Sequence, residues 1–141
     1  MLRRTAMTAT YPDDLLYTND HEWARIEDRG GLTLATIGIS RFAVEQLGDV
    51  TQVDLPKHGD LLRQGTTFGS VESVKAVSDV FAPVSGTVVD VNARLAGAPE
   101  RVNDDPYGEG WMVQIEVKHR DELQRLMTAE GYRAFVREQA H

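Results

Sequence analysis

The sequence predicts a mostly β fold, a sandwich or barrel finished by helices at its C-terminal end. Three observations lead there. Short runs rich in β-branched residues recur along the chain, separated by clusters of Gly, Pro, Asn and Asp, the punctuation of turns between neighbouring strands. Apolar and polar residues alternate up to Val117, and beyond it the apolar spacing changes to three and four, the helical period. The length of 141 residues, 41 % hydrophobic and 26 % charged, suits one domain with a modest core.

The elements follow in order. Leu15-Leu16-Tyr17-Thr18 is a short strand, ended by the turn chemistry of Asn19-Asp20. His21 to Glu27 is a strand with mixed faces. Asp28-Arg29-Gly30-Gly31 makes a hairpin loop, and Leu32 to Ile37 returns. Ser40 caps a short helix over 41–47, with Val44 and Leu47 on one face and Gly48 as its stop. Val50 to Leu55 alternates as a half-buried strand, closed by Pro56-Lys57-His58-Gly59-Asp60. Strands on both sides of Lys75 come next, then the turn Pro83-Val84-Ser85-Gly86 and the strand Thr87 to Val91. Residues 92–110 are a long connection rich in Gly, Pro, Asn and Asp. Such a loop in a small domain is functional or wrapped on the surface. Trp111 to Val117 is the last strand, with Val113, Ile115 and Val117 on one face. Leu123, Leu126 and Met127 predict a helix behind Asp121 and Glu122, and Thr128 caps a second one carrying Tyr132, Phe135 and Val136.

Composition removes several classes of function. A net charge of −7 argues against nucleic acid and against an anionic membrane surface, both of which call for basic stripes. No run approaches the roughly 20 apolar residues of a membrane span. With no cysteine there is no disulfide and no thiolate metal site. The histidines His21, His58, His119 and His141 form no paired ligand motif, and no metal is expected; His21 beside Trp23 reads as packed or hydrogen-bonded. No nucleophile elbow or phosphate loop is present, so no catalytic residue is assigned. Residues 1–10 form a basic segment without acids and are expected to be a disordered tail, too short for an export or transit signal. The expected domain is 11–141, and the expected location is the cytoplasm, or the mitochondrial matrix in a eukaryotic source.

Lys75 is one of three lysines against twelve arginines. A solvated surface residue is the ordinary identity of any lysine, and strand and turn context alone leave that reading open. A catalytic amine needs burial or a cationic neighbour, and no basic residue is near Lys75 in sequence. A lysine that receives a covalent group needs the reverse, exposure on a rigid protrusion. A hairpin tip supplies it, although Val74-Lys75-Ala76 lacks the Asn-Gly or Asp-Gly of the tightest turns.

Glu72-Ser73-Val74-Lys75-Ala76, followed by Ser78-Asp79-Val80 and Ala82-Pro83-Val84-Ser85-Gly86, resembles the lipoyl-lysine segment of the glycine cleavage system H proteins. The likeness extends to His21-Glu22-Trp23, Gly48-Asp49-Val50, Val53-Asp54-Leu55-Pro56, Val91-Asn92, Asn103, Pro106-Tyr107-Gly108 and Gly110-Trp111, and runs from about Tyr11 to Glu138. Biotin carriers usually place methionine on both sides of the lysine, and lipoyl domains of 2-oxo acid dehydrogenases usually read Asp-Lys-Ala. Arg101, where the family is often apolar, and Phe42, where it is often polar, are departures.

The resemblance implies a lipoyl/biotinyl-like flattened barrel or sandwich, with lipoate bound covalently to Lys75 and Glu72, Ser73, Val74 and Ala76 as the flank of the attachment motif. It implies a non-catalytic carrier. Its arm takes an aminomethyl group from the pyridoxal-phosphate glycine decarboxylase (P protein) to the aminomethyltransferase (T protein) and is reoxidised by dihydrolipoamide dehydrogenase (L protein). Enzymes that attach lipoate are further partners. Glu22 and Asp79 become the expected carboxylates for the docked, cationic amine. A lipoyl relay, donating lipoyl groups to other enzymes, is the alternative that uses the same lysine.

Overall fold

The computed structural model describes residues 10–139, so the expected tail lies outside the described residues except for Thr10. The strands are β1 (Leu16–Tyr17), β2 (Glu22–Arg29), β3 (Leu32–Ile39), β4 (Val50–Asp54), β5 (Leu61–Leu62), β6 (Thr67–Ser73), β7 (Val77–Phe81), β8 (Gly86–Val91) and β9 (Val113–Val117). The helices are α1 (Arg41–Leu47), α2 (Arg101–Asp104) and α3 (Ala129–Gln139). All strand pairs are antiparallel, in a six-stranded sheet ordered β1-β2-β3-β9-β8-β5 and a three-stranded sheet ordered β4-β6-β7. The fold is thus mostly β, as expected, with two open sheets and no closed barrel.

Local chemistry explains the elements. Arg29 pairs with Leu32 across Gly30 and Gly31, whose φ values of 58° and 82° supply the left-handed turn that matches strand twist. The Ser40 hydroxyl accepts from the Ala43 N–H at 3.4 Å to start α1, and Gly48 stops it at φ 77°. The apolar faces of the sheets, including Ala35, Ile37 and Ile115 from one and Val71 and Val80 from the other, meet in the main core.

A second apolar cluster joins Leu15, Tyr17 and Trp23 to Ala129, Tyr132 and Val136 of α3. The Tyr17 and Tyr132 rings stack at 4.4 Å. Trp23 is fully buried, and its indole N–H donates to the Pro106 carbonyl at 3.1 Å.

Two expectations change. The helix expected around Leu123, Leu126 and Met127 is a short 3-10 run, Arg120–Arg125, after which the backbone extends. Met127 and Tyr17 exchange two backbone hydrogen bonds of 2.8 and 2.9 Å, and this pairing with a distant strand overrides local helical spacing. Leu123 and Leu126 still pack on the core, which is what their spacing served. The connection 92–110 is also less irregular than expected, because it contains the 3-10 turn Ala93–Ala96 and α2. Thr128 does cap α3, accepting from the Gly131 N–H at 3.2 Å.

Gly38 marks the closest fit in the second cluster. A Cβ there would lie 2.7 Å from the Trp23 ring, and a buried indole has nowhere to go. Gly38→Ala is expected to destabilise the chain by about 1–3 kcal/mol, the usual range for overpacking, read as a lower urea midpoint with an unchanged slope.

Candidate functional site

Lys75 sits at the tip of the β6–β7 hairpin. Glu72 faces Val77, and the Ser73 N–H donates to the Ala76 carbonyl at 2.8 Å, leaving Val74 and Lys75 as a two-residue turn. Neither has positive φ, since His21 is the only non-glycine with that geometry among the described residues. The turn therefore lacks the backbone shape that closes most two-residue hairpins. Side chains and a neighbouring loop support it instead. The Ser73 Oγ accepts from the Lys75 and Ala76 N–H groups at 3.3 and 3.1 Å. The Val74 N–H donates to the Asp49 carbonyl at 3.1 Å. That loop is itself clasped by Asn103, whose Nδ2 donates to the Gly48 carbonyl at 2.8 Å and whose Oδ1 accepts from the Val50 N–H at 2.9 Å.

Ser73 is buried under the tip, while Glu72, Val74, Lys75 and Ala76 are exposed. Val74 and Val77 are 72 % and 69 % exposed, an apolar collar around the lysine. The Lys75 stem passes above Gly48, where an added Cβ would stand 3.6 Å from Lys75 Cε. No ion pair holds its ammonium among the described residues.

A cleft begins beside this tip. Its first cavity, about 630 Å³, has Ala76 and Val77 on one side and His21, Phe42 and Leu47 on the other. A second, about 440 Å³, contains Glu22, Phe81, Pro83, Arg125 and Phe135. Asp20 lines both. Sequence reasoning took Asp20 only as turn chemistry; its place next to His21-Glu22 was the one available signal.

Glu22 is 1 % exposed. One carboxylate oxygen accepts from the Thr18 hydroxyl at 2.5 Å and the other from the Phe81 N–H at 3.1 Å. β7 pairs only with β6, so the Glu22 carboxylate satisfies a strand edge that would otherwise hold an orphan donor. Burial pushes the Glu22 carboxyl from 4.5 up to about 7, against the two hydrogen bonds, with the charge of Asp20 adding to the rise. Asp79, opposite Ser70 on β7, is exposed and lines neither cavity. The structure thus brings Glu22 to the cleft and leaves Asp79 outside its walls. No cluster of His, Asp or Glu able to hold a metal occurs among the described residues.

An exposed lysine thus stands beside a cleft that also holds a buried carboxyl, and comparison with known proteins gives the family of the chain. Residues 15–139 match the family described as Glycine cleavage H-protein. The chain belongs to this family. A glycine cleavage system H protein of Anaeromyxobacter sp. (strain K) is 53 % identical over 128 residues, covering 91 % of this chain and 97 % of that one. One from Cyanothece sp. (strain PCC 7425) is 48 % identical over 130 residues, 92 % and 98 % of the two chains. The crystal structure of a glycine cleavage system H protein from Mycobacterium marinum superposes with a TM-score of 0.76 at 36 % identity, covering 92 % of this chain and 99 % of that one.

The raised carboxyl has a consequence for stability. Between pH 4.5 and 7 the folded chain keeps a proton on Glu22 that the unfolded chain has released, so Glu22 makes stability fall as pH rises through that window. A shift of this size corresponds to about 3 kcal/mol. Urea titrations from pH 4 to 8 are expected to show that the wild-type chain loses stability relative to Glu22→Gln as pH rises. Parallel curves for the two proteins would contradict it.

Proposed function

We propose that the chain is a non-catalytic lipoyl carrier of glycine cleavage, with lipoate joined to Lys75 through an amide. The observation that carries the reading is the placement of Lys75, exposed on a braced two-residue turn beside a cavity that Ala76 and Val77 line, with buried Glu22 in the next cavity along.

The residues present fit the group. An attaching enzyme needs an amine it can reach, and the tip offers one with no ion pair to break. Acylation removes the lysine charge and so suits the stem to an apolar path past Phe42, Leu47 and Val77. When bound, lipoate supplies the disulfide that takes up the aminomethyl unit and two electrons, chemistry that a chain without cysteine does not have. An arm laid against Phe42, Leu47 and Val77 has less of its length in water, which protects a bond exposed to hydrolysis. Glu22 gives a cationic amine a buried carboxylate in the second cavity, and exposed Asp79, on the hairpin that carries Lys75, adds a negative charge outside both cavities. An arriving cation favours the ionised form of Glu22, so the same carboxyl is neutral or charged according to the cargo.

The partners are then the P, T and L proteins and the lipoate-attaching enzymes, in the cytoplasm of a bacterial source. An acidic surface, at net charge −7, favours encounter with basic docking faces. Intact-mass spectrometry of protein made in lipoate-fed cells tests the attachment. A lipoyl adduct on the wild-type chain and none on Lys75→Arg is expected. An unmodified wild type, or an adduct that survives the substitution, would overturn the assignment.

A further inference from the structure

We propose that neutral His21 is a positioning residue for the cleft: it locks α3 onto the start of β2 and so holds Glu22 and the cleft wall in place. Three observations converge on this residue. Its backbone is at φ 73°, the only positive value for a non-glycine among the described residues. Such geometry persists where the surroundings over-determine it. Here the His21 carbonyl accepts from the Ser40 N–H at 2.8 Å and its own N–H donates to the Thr18 carbonyl at 3.2 Å. Glu22 follows directly in the chain.

Both ring nitrogens are used by one face of α3. Nδ1 meets the Tyr132 hydroxyl at 2.8 Å and Nε2 meets Gln139 Oε1 at 3.0 Å. The ring also packs on Phe42 of α1 at 4.4 Å and Phe135 of α3 at 5.8 Å. His21, Phe42 and Gln139 line the first cavity, and Phe135 lines the second. The latch is therefore part of the cleft wall.

The partners fix the direction of every hydrogen bond. Gln139 Oε1 has no proton, so His21 Nε2–H donates to it. Nδ1 then accepts from Tyr132, whose oxygen accepts in turn from the Ser40 hydroxyl at 2.6 Å. Each proton is used once, and the chain of bonds joins α3, β2 and the cap of α1. A proton on Nδ1 would face the Tyr132 oxygen, so the Tyr132 hydrogen would have to turn to the Ser40 oxygen and displace the hydrogen that buried Ser40 now donates. Asp20 is the charge acting on the ring and favours the imidazolium. Tyr132, from α3, keeps its proton because burial raises it far above the working range. α1 presents Phe42, while its Arg41 turns to the Asn103 carbonyl. Burial holds the imidazole below its ordinary 6.5, outweighing the Gln139 bond and Asp20. The sign follows: the latch is intact above pH 6.5 and weakens as pH falls below it.

The test needs no cofactor. Nitrogen NMR of the unmodified full chain at pH 7.5 is expected to show His21 protonated on Nε2 alone. Amide exchange of α3, corrected for intrinsic rates, is expected to quicken about tenfold between pH 7.5 and 5.5, as for loss of one hydrogen bond. Tyr132→Phe keeps the ring and His21→Asn tolerates the backbone; both are expected to exchange fast at either pH. In the lipoyl-loaded chain the same variants shorten the lifetime of the docked amine, a readout that alone rests on the proposed function. A proton on Nδ1 at pH 7.5, or wild-type protection and pH dependence in Tyr132→Phe, would overturn the proposal.

Discussion

A two-residue turn without glycine is held at the tip of a hairpin, and the site depends on how that turn is kept rigid. Val74 and Lys75 do not take the left-handed backbone that would close the hairpin by itself. The turn therefore borrows its order from elsewhere. Ser73 supplies an oxygen to two backbone donors, the Asp49 carbonyl takes a third, and Asn103 holds the loop that carries Asp49. A glycine in the turn would close it more easily but would enlarge the unfolded ensemble. The external support leaves both tip positions free for side chains, one a lysine and one an exposed valine.

The same economy appears at the other end of the cleft. An edge strand must hide or satisfy its free donors. β7 does so with Glu22, whose acceptance of the Phe81 N–H also links the two sheets across the cleft. Burial that would be a defect in an ordinary core becomes useful here. A carboxyl raised to about 7 is close to its midpoint at neutral pH, and an approaching cation shifts it toward the ionised form. A lysine or arginine paired with Glu22 would stabilise the ion permanently and remove that response. Arg125 lines the same cavity but bonds to Gln64, at 3.0 Å, rather than to Glu22.

Much of this was readable in the residues. The Gly30-Gly31 hairpin, the Ser40 and Thr128 caps and the alternation of Val113, Ile115 and Val117 follow from local rules, and the structure keeps them. Local rules failed where the decisive partner was remote. Met127 leaves its helical spacing to pair with Tyr17, 110 residues earlier by their numbers, and β5 is too short for any periodicity. Lys75 shows the division most clearly. Spacing alone left it an ordinary surface residue, and the order of flanking motifs along the chain made it a candidate. Glu22 entered by resemblance, yet its burial and its contact with Phe81 depend on two sheets meeting. Asn103 was part of the recognised pattern with no role attached; the clasp on Gly48 and Val50 supplies one.

The parts of the site come from widely separated segments, and this separation argues against treating it as a graft on an indifferent scaffold. The tip belongs to β6 and β7, its brace to the loop after Gly48 and to Asn103 of α2, the carboxyl to β2, and much of the cleft wall to α1 and α3. Trp23 follows Glu22 directly and is locked against Gly38 and the Pro106 carbonyl, so the strand that presents the carboxyl is fixed by the second apolar cluster. Tyr132 joins that cluster to the His21 latch. A change that loosens α3 thus acts on the cleft through Tyr132 and Phe135 before it reaches the main core. The cleft wall and the second cluster share Phe42 and Phe135, and the Lys75 tip is braced through Asn103, which Arg41 of α1 also bonds. α1 therefore serves both parts, lining the cleft with Phe42 and Leu47 and ending at the Gly48 that Asn103 clasps, so the tip and the cleft are ordered together.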